Sequence, residues 1–279
     1  MMEFEKRNDF LICVDSDGCA MDTMDVKHRK CFGPCLVEIW GLFSRQDQVL
    51  SRWNNINLYS MTRGVNRFKG LALMLREIQD TFMAIEGLED LEAWVREGGE
   101  LSERALEYRV RERGSLCLEM ALLWSRKVNE RIDGLSFQDK LPFAGVWEAL
   151  SQARGRGDIA VVSSANRQAV EEEWRYYGLL DLVDLVMAQD MGSKASCISR
   201  LVGMGYERDH VLMAGDAPGD WKAAEESGVL YYPILAGRER ESWKEFGEEG
   251  IERFFGGRFG GEYQEEKVRE FLENLGRPR

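Results

Sequence analysis

The sequence predicts an α/β protein built on a parallel sheet, with a helical domain inserted into it. Three observations predict this. Five short apolar runs each lead into or carry polar turn residues, beginning with Phe10–Val14 and its successor Asp15-Ser-Asp-Gly18. Helix-period stretches separate the later runs, and strands alternating with helices imply a parallel sheet covered on both faces. Residues 23–140, by contrast, show helical spacing and no comparable run. A structureless loop of that length is not expected inside a compact domain, so the segment reads as a domain of its own. The predicted fold class is therefore a Rossmann-like sheet core with an inserted α-helical cap domain. Residues 1–22 and 141–279 form the core and residues 23–140 the cap.

The later runs follow in order. Ile159–Val162 ends in Ser163-Ser-Ala-Asn166, Leu182–Ala188 in Gln189-Asp190, and Val211–Ala214 in Gly215-Asp216, while Val229–Leu235 contains Tyr231-Tyr-Pro233. Between them, Val170, Trp174 and Tyr177 share a helical face that Gly178 closes. Ile198, Leu201 and Val202 make an apolar face after Lys194, and Ala223 and Ala224 sit in a helix ending at Gly228. Within the insertion, Leu36, Ile39, Trp40 and Phe43 follow helical spacing, as do Leu71, Leu75, Ile78, Phe82 and Ile85. From about residue 237 a tail carries Trp243, Phe246, Phe254, Phe255, Phe259, Tyr263 and Phe271, broken by Gly256-Gly257 and Gly260-Gly261. These aromatics are expected to pack the tail onto the core.

Composition narrows the class. The 279 residues are 44% apolar and 31% charged, as in a globular protein of about two domains. With 37 basic and 49 acidic residues the net charge is −12, which disfavours nucleic-acid or anionic-membrane partners. No apolar run approaches the ~20 residues of a membrane span. Residues 1–9 carry mixed charge with no apolar stretch typical of a signal peptide behind them, which predicts a cytoplasmic protein. Cysteines 13, 19, 31, 35, 117 and 197 contain no C-x-x-C pair and read as reduced, buried thiols. Cys31 and Cys35 read as packing rather than a redox pair. Two histidines make a histidine-based zinc site a poor expectation.

The chemistry lies where the strands end. Asp15 and Asp17 are two apart, so both side chains can lean to one side of the sheet. A lone D-x-D pair also occurs in ordinary solvated turns. Here, however, Ser163 follows the second run, Lys194 the third within Gly192-Ser-Lys194, and Asp216 and Asp220 the fourth within Gly-Asp-Ala-Pro-Gly-Asp. Four successive strand ends thus lead to a group that can bind phosphate or a cation, and strand ends of this kind gather at one sheet edge.

In order and residue type these segments resemble the haloacid dehalogenase-like (HAD) hydrolase superfamily. Asp15-Ser-Asp17-Gly-Cys-Ala-Met-Asp22-Thr23 is similar to its first motif, and Ser163, Lys194 and Gly215-Asp216-x-x-x-Asp220 are similar to the next three. The resemblance covers residues 10–22 and 141–236, and the insertion has the position of a type-1 helical cap. It implies a phosphatase or β-phosphoglucomutase-like enzyme, because the superfamily's dehalogenases and phosphonatases lack the second aspartate, here Asp17. It implies Asp15 as the nucleophile, forming an aspartyl-phosphate, and Asp17 as the general acid/base. Ser163 and Ser164 with the following N–H groups would hold phosphate oxygens, and Lys194 would neutralise charge. Mg²⁺ would be held by Asp15, the Asp17 carbonyl, Asp216 and Asp220, with Asp220 acting through water or as an orienter of Lys194.

Three further residues are candidates for substrate selectivity. His28 stands one place beyond the offset of the mutases' cap-entry histidine, and its simpler reading is a polar helix residue. Arg63 and Arg67, in an Asn- and Arg-rich stretch over residues 53–69, would share a face if that stretch is helical. Asp22-Thr23 reads as an Asx or N-cap element at the start of the cap. The reading that follows is a Mg²⁺-dependent phosphomonoesterase acting on a small phosphorylated metabolite, a sugar phosphate among the candidates. The alternatives are a β-phosphoglucomutase-like mutase and a catalytically silent phospho-ligand-binding regulator. A two-component receiver domain is excluded by length. Nothing in the sequence fixes the oligomeric state.

Overall fold

The computed structural model describes residues 4–276. The chain divides into two compact units, one comprising residues up to Met24 and those from Phe137 onward, the other Asp25–Ser136. The return to the first unit comes before residue 141 for a physical reason. Phe137 stacks on Tyr176 with centroids 4.3 Å apart, and Lys140 Nζ lies 3.2 Å from the buried carboxylate of Glu173.

The first unit holds one sheet of five strands: β1 (Leu11–Val14), β2 (Asp158–Val162), β3 (Leu185–Met187), β4 (Val211–Gly215) and β5 (Leu230–Pro233). They run parallel in the order β3-β2-β1-β4-β5, with Val14 in register with Val161 on one side and Ala214 on the other. β1 is buried along its whole length, which explains why Leu-Ile-Cys-Val is continuously apolar rather than alternating. The strand order reverses beside β1, so the crevice outside the ends of β1 and β4 is the topological switch point where such sheets bind ligands.

Two sequence expectations shift. The third apolar run pairs only over Leu185–Met187, because Leu180–Leu182 forms a 3₁₀ turn and the Asp184 carboxylate accepts from Ile159 N at 3.0 Å. In the other unit, the helix Arg67–Thr81 ends before Phe82 and Ile85, where Ile85 N donates to the Gln79 side chain.

At the opposite end of the sheet from the switch point, Asp158 opens β2. Its carboxylate accepts from Arg7 N, Asn8 N, Asn8 Nδ2 and the Tyr206 hydroxyl. Burial would raise its pKa, but these donors outweigh that and hold it below the ordinary carboxylate value. The tail forms helices Glu239–Glu245, Ile251–Phe255 and Glu262–Gly276. Trp243, Phe246, Phe254 and Phe259 share one apolar cluster with Ile12 and Val14, and Phe271 meets Tyr231 edge-on at 5.8 Å.

The second unit is helical among its described residues and has its own core around Phe32, Trp53, Phe68 and Trp124. The helix Arg67–Thr81 passes so close to its neighbour that a Cβ on Gly70 would lie 2.3 Å from Asn57 Oδ1 and would displace the Asn57 side chain. All six cysteines are free and buried. No helix among the described residues is long and apolar enough to cross a membrane.

Candidate active site

The first loop grows directly out of β1. Asp15 N donates to Ala214 O at 3.0 Å, which extends the sheet pairing by one residue and carries the side chain past the strand end. The chain then wraps around the carbonyl of Ser16, which accepts from Cys19 N, Ala20 N and Met21 N at 3.3, 3.0 and 2.9 Å. Gly18, at φ +82°, permits the reversal. Asp15 is almost fully buried and Asp17 half-buried.

The fourth loop supplies the other carboxylates. Asp216 follows β4 and is fully buried, as is Asp220 in the first turn of the helix Pro218–Ser227. Asp220 Oδ2 accepts from Ala217 N at 3.0 Å, which satisfies an orphan donor of that helix start. Gly215 makes room for it, since a Cβ at 215 would stand 2.4 Å from Asp220 Cβ. Lys194 opens the helix Lys194–Val202, which Ser193 caps by accepting from Ser196 N. Its Nζ lies 2.8 Å from Asp15 Oδ1 and also donates to Asp220 Oδ1.

Asp15, Asp216 and Asp220 each offer a carboxylate oxygen within 4.8 Å of the others. One ammonium cannot balance three buried carboxylates. Burial raises the Asp15 pKa well above the ordinary value, and Asp220 and Asp216 add to the rise against the opposing pull of Lys194. Burial disfavours the Lys194 charge, but Asp15 and Asp220 outweigh it and hold that pKa above a free lysine's. A set of hard, anionic oxygens with surplus negative charge fits a small divalent cation. The Asp17 carboxylate stands outside the set. It accepts instead from Thr23 Oγ1 at 2.6 Å.

Ser163 lies at the end of β2, beside β1. Its N donates to Met187 O and its Oγ accepts from Ala165 N at 3.1 Å, shaping the turn into the helix Arg167–Tyr176. Ser164 is exposed, and Asn166 caps that helix by accepting from Gln168 N and Ala169 N.

The selectivity candidates all belong to the helical unit. His28 Nδ1 accepts from Trp53 Nε1 at 3.0 Å, and its ring stacks on Phe32. Arg63 and Arg67 do not share a helix. Arg63 sits in the turn after the helix Gln46–Leu58, buried, and donates to Leu58 O at 2.8 Å. Arg67 opens the next helix, donates to Asn129 Oδ1 at 2.7 Å and lies 5.0 Å over the Phe32 ring.

Thr23, which in the sequence reads as part of a cap element, donates to Asp17 in the folded loop. The available signal was a hydroxyl six residues after Asp17, across a loop tight enough to fold it back.

A family model described as haloacid dehalogenase-like hydrolase matches residues 108–232. That match includes Ser163, Lys194, Asp216 and Asp220 but begins after β1, so Asp15 and Asp17 rest on the sequence motif and the geometry above. Among solved structures, the chain is similar to a haloacid dehalogenase-like family hydrolase from Streptococcus pneumoniae. The TM-score is 0.52 at 11% identity, covering 80% of this chain and 83% of that one. It is also similar to a candidate phosphoglycolate phosphatase from Lactobacillus delbrueckii subsp. bulgaricus, with TM-score 0.54 at 16% identity over 81% and 86% of the two chains. These likenesses show the fold. No curated protein matches the sequence.

Proposed function

We propose that the chain is a haloacid dehalogenase-like hydrolase and acts as a Mg²⁺-dependent phosphomonoester hydrolase, a reading its fold and motif set support. It works through an aspartyl-phosphate on Asp15, and its substrate is a small phosphorylated metabolite. The observation that carries this reading is the buried set at the switch point: Asp15 Oδ1 is 2.8 Å from Lys194 Nζ, with Asp216 and Asp220 oxygens in reach of one cation.

Asp15, Asp216 and Asp220, with the Asp17 carbonyl, would hold the cation. A bound Mg²⁺ supplies the positive charge that lets a phosphate dianion approach buried carboxylates. The remaining work falls to the protein's own groups. An Asp15 oxygen attacks phosphorus, forming the O–P bond as the ester O–P bond breaks. Asp17, held by Thr23, gives its proton to the leaving oxygen and later takes one from the attacking water, which releases phosphate and restores Asp15. Lys194 offsets charge on the nucleophile and the transferring group. Ser163 and Ser164, with N–H groups of the Ser164–Asn166 loop that leads into the helix Arg167–Tyr176, bind phosphate oxygens.

The test is a panel of phosphorylated metabolites with Mg²⁺, with Asp15→Asn as the blank. Release of inorganic phosphate by the wild type alone supports the hydrolase. Isomerised ester without phosphate release would favour a mutase, and no turnover by either protein would favour a silent binding protein.

A further inference from the structure

We propose that Trp174 and Trp243 are positioning residues that clamp the Asp15–Asp17 loop from two sides, an inference that rests on the phosphatase reading of that site. Each indole has one N–H donor and no acceptor, so a buried indole must find an acceptor. Both tryptophans are fully buried, and both find theirs in the same loop. Trp174 Nε1 donates to Ser16 Oγ at 2.9 Å, and Trp243 Nε1 donates to Cys19 O at 2.8 Å.

The acceptors are placed to matter. Ser16 is the single residue between Asp15 and Asp17, and its own carbonyl is the hub that Cys19, Ala20 and Met21 close upon. A donor fixed on its hydroxyl therefore fixes the backbone on which both carboxylates ride. Cys19 stands two residues beyond Asp17, and its thiol donates back to Ala214 O at 3.5 Å. The loop is thus held at Ser16, at Cys19 and along β4.

The donors come from informative places. Trp174 lies on the helix Arg167–Tyr176, which begins at the Ser163–Asn166 loop expected to bind phosphate. One buried hydrogen bond therefore sets the nucleophile loop in register with the phosphate loop. Trp243 lies in the tail helix Glu239–Glu245, beyond the residues matched by the family model. The tail thereby acquires a role besides packing. Trp243 itself is braced edge-on by Phe246 at 5.8 Å, which holds its indole plane. Catalysis is sensitive to this kind of support, because small displacements of a reacting group change rates by orders of magnitude.

The experiment compares Trp174→Phe and Trp243→Phe with the wild-type protein, adding Ser16→Ala to remove the first bond from its acceptor side should Trp174→Phe fail to fold. Two quantities are read: kcat and KM with Mg²⁺ and the best phosphate ester, and amide hydrogen exchange resolved by residue. The expected result is a kcat loss of about 10- to 100-fold with KM nearly unchanged. Exchange at the Cys19, Ala20 and Met21 amides should quicken about tenfold, while the helix Glu262–Gly276 stays as in the wild type. Unchanged kcat in a folded variant, or exchange that quickens equally along the whole chain, overturns the proposal. If the wild type hydrolyses no phosphate ester, the phosphatase reading fails separately. Local quickening at the three amides then still supports the clamp, and its absence overturns it.

Discussion

Thr23 Oγ1 donates a 2.6 Å hydrogen bond to Asp17 Oδ1, across the six-residue span that closes the first loop. The bond orients the Asp17 carboxylate, the proposed acid/base, which is not part of the Asp15–Asp216–Asp220 cluster. Thr23→Val removes the donor and keeps the shape. It is expected to lower kcat by about tenfold or more, since hydrogen bonds to charged groups are among the stronger ones. Thr23→Ser should retain most of the rate. Steady-state kinetics of the two variants check this, and equal rates would remove Thr23 from the mechanism.

Gly215 and Gly219 make a matched pair of probes. A Cβ at 215 would collide with Asp220, whereas one at 219 meets nothing within 4 Å. Gly215→Ala should displace Asp220 from Lys194, weaken Mg²⁺ binding measured by titration calorimetry, and remove most activity. Gly219→Ala should leave both near the wild-type values.

Removing the cation should abolish turnover. Lys194 pairs with Asp15 and Asp220, and Asp216 lies in the same buried carboxylate cluster, so chelation by EDTA leaves a phosphate dianion facing clustered carboxylates without the cation. Mg²⁺ added back should restore the rate. Full activity in rigorously metal-free protein would contradict the proposed chemistry.

The switch-point constellation was legible because its members follow four apolar runs in fixed order, and parallel topology alone brings those run ends together. Other parts were hidden for physical reasons. Thr23 looks like any cap-forming hydroxyl until the loop folds it onto Asp17. Arg63 and Arg67 have helical spacing, yet the helix Gln46–Leu58 ends before them and a turn intervenes. The partners of Trp174 and Trp243 lie 158 and 224 residues away, a separation that no local pattern encodes. Leu182–Val183 is apolar enough to read as strand, but Asp184 turns that segment toward Ile159.

Arg63 is expected to act on stability. Its guanidinium is buried and donates to Leu58 O, so Arg63→Ala leaves a cavity and a carbonyl without that donor. A loss of roughly 2–4 kcal/mol, read by denaturant unfolding, is expected. A selectivity role would instead show as a KM change at constant stability.

Asp158 gives a pH dependence whose sign follows from its lowered pKa. A carboxyl held lower in the folded than in the unfolded chain stabilises the fold above its unfolded pKa of about 3.9 and loses that contribution as pH falls through the folded value. Stability should therefore drop on acidification below about pH 4. Asp158→Asn should be less stable at neutral pH and fall less steeply in acid. Parallel curves for the two proteins would assign the acid sensitivity elsewhere.

In the proposed reaction Asp15 carries the phosphoryl group. Acid quenching during turnover with Mg²⁺, followed by mass spectrometry of the proteolysed chain, reads this directly. A phosphoryl adduct is expected on the peptide containing Asp15, present in the wild type and absent from Asp15→Asn, which should also be inactive. An Asp15→Asn protein that turns over at the wild-type rate, or a phosphoryl group found on another residue, would contradict it.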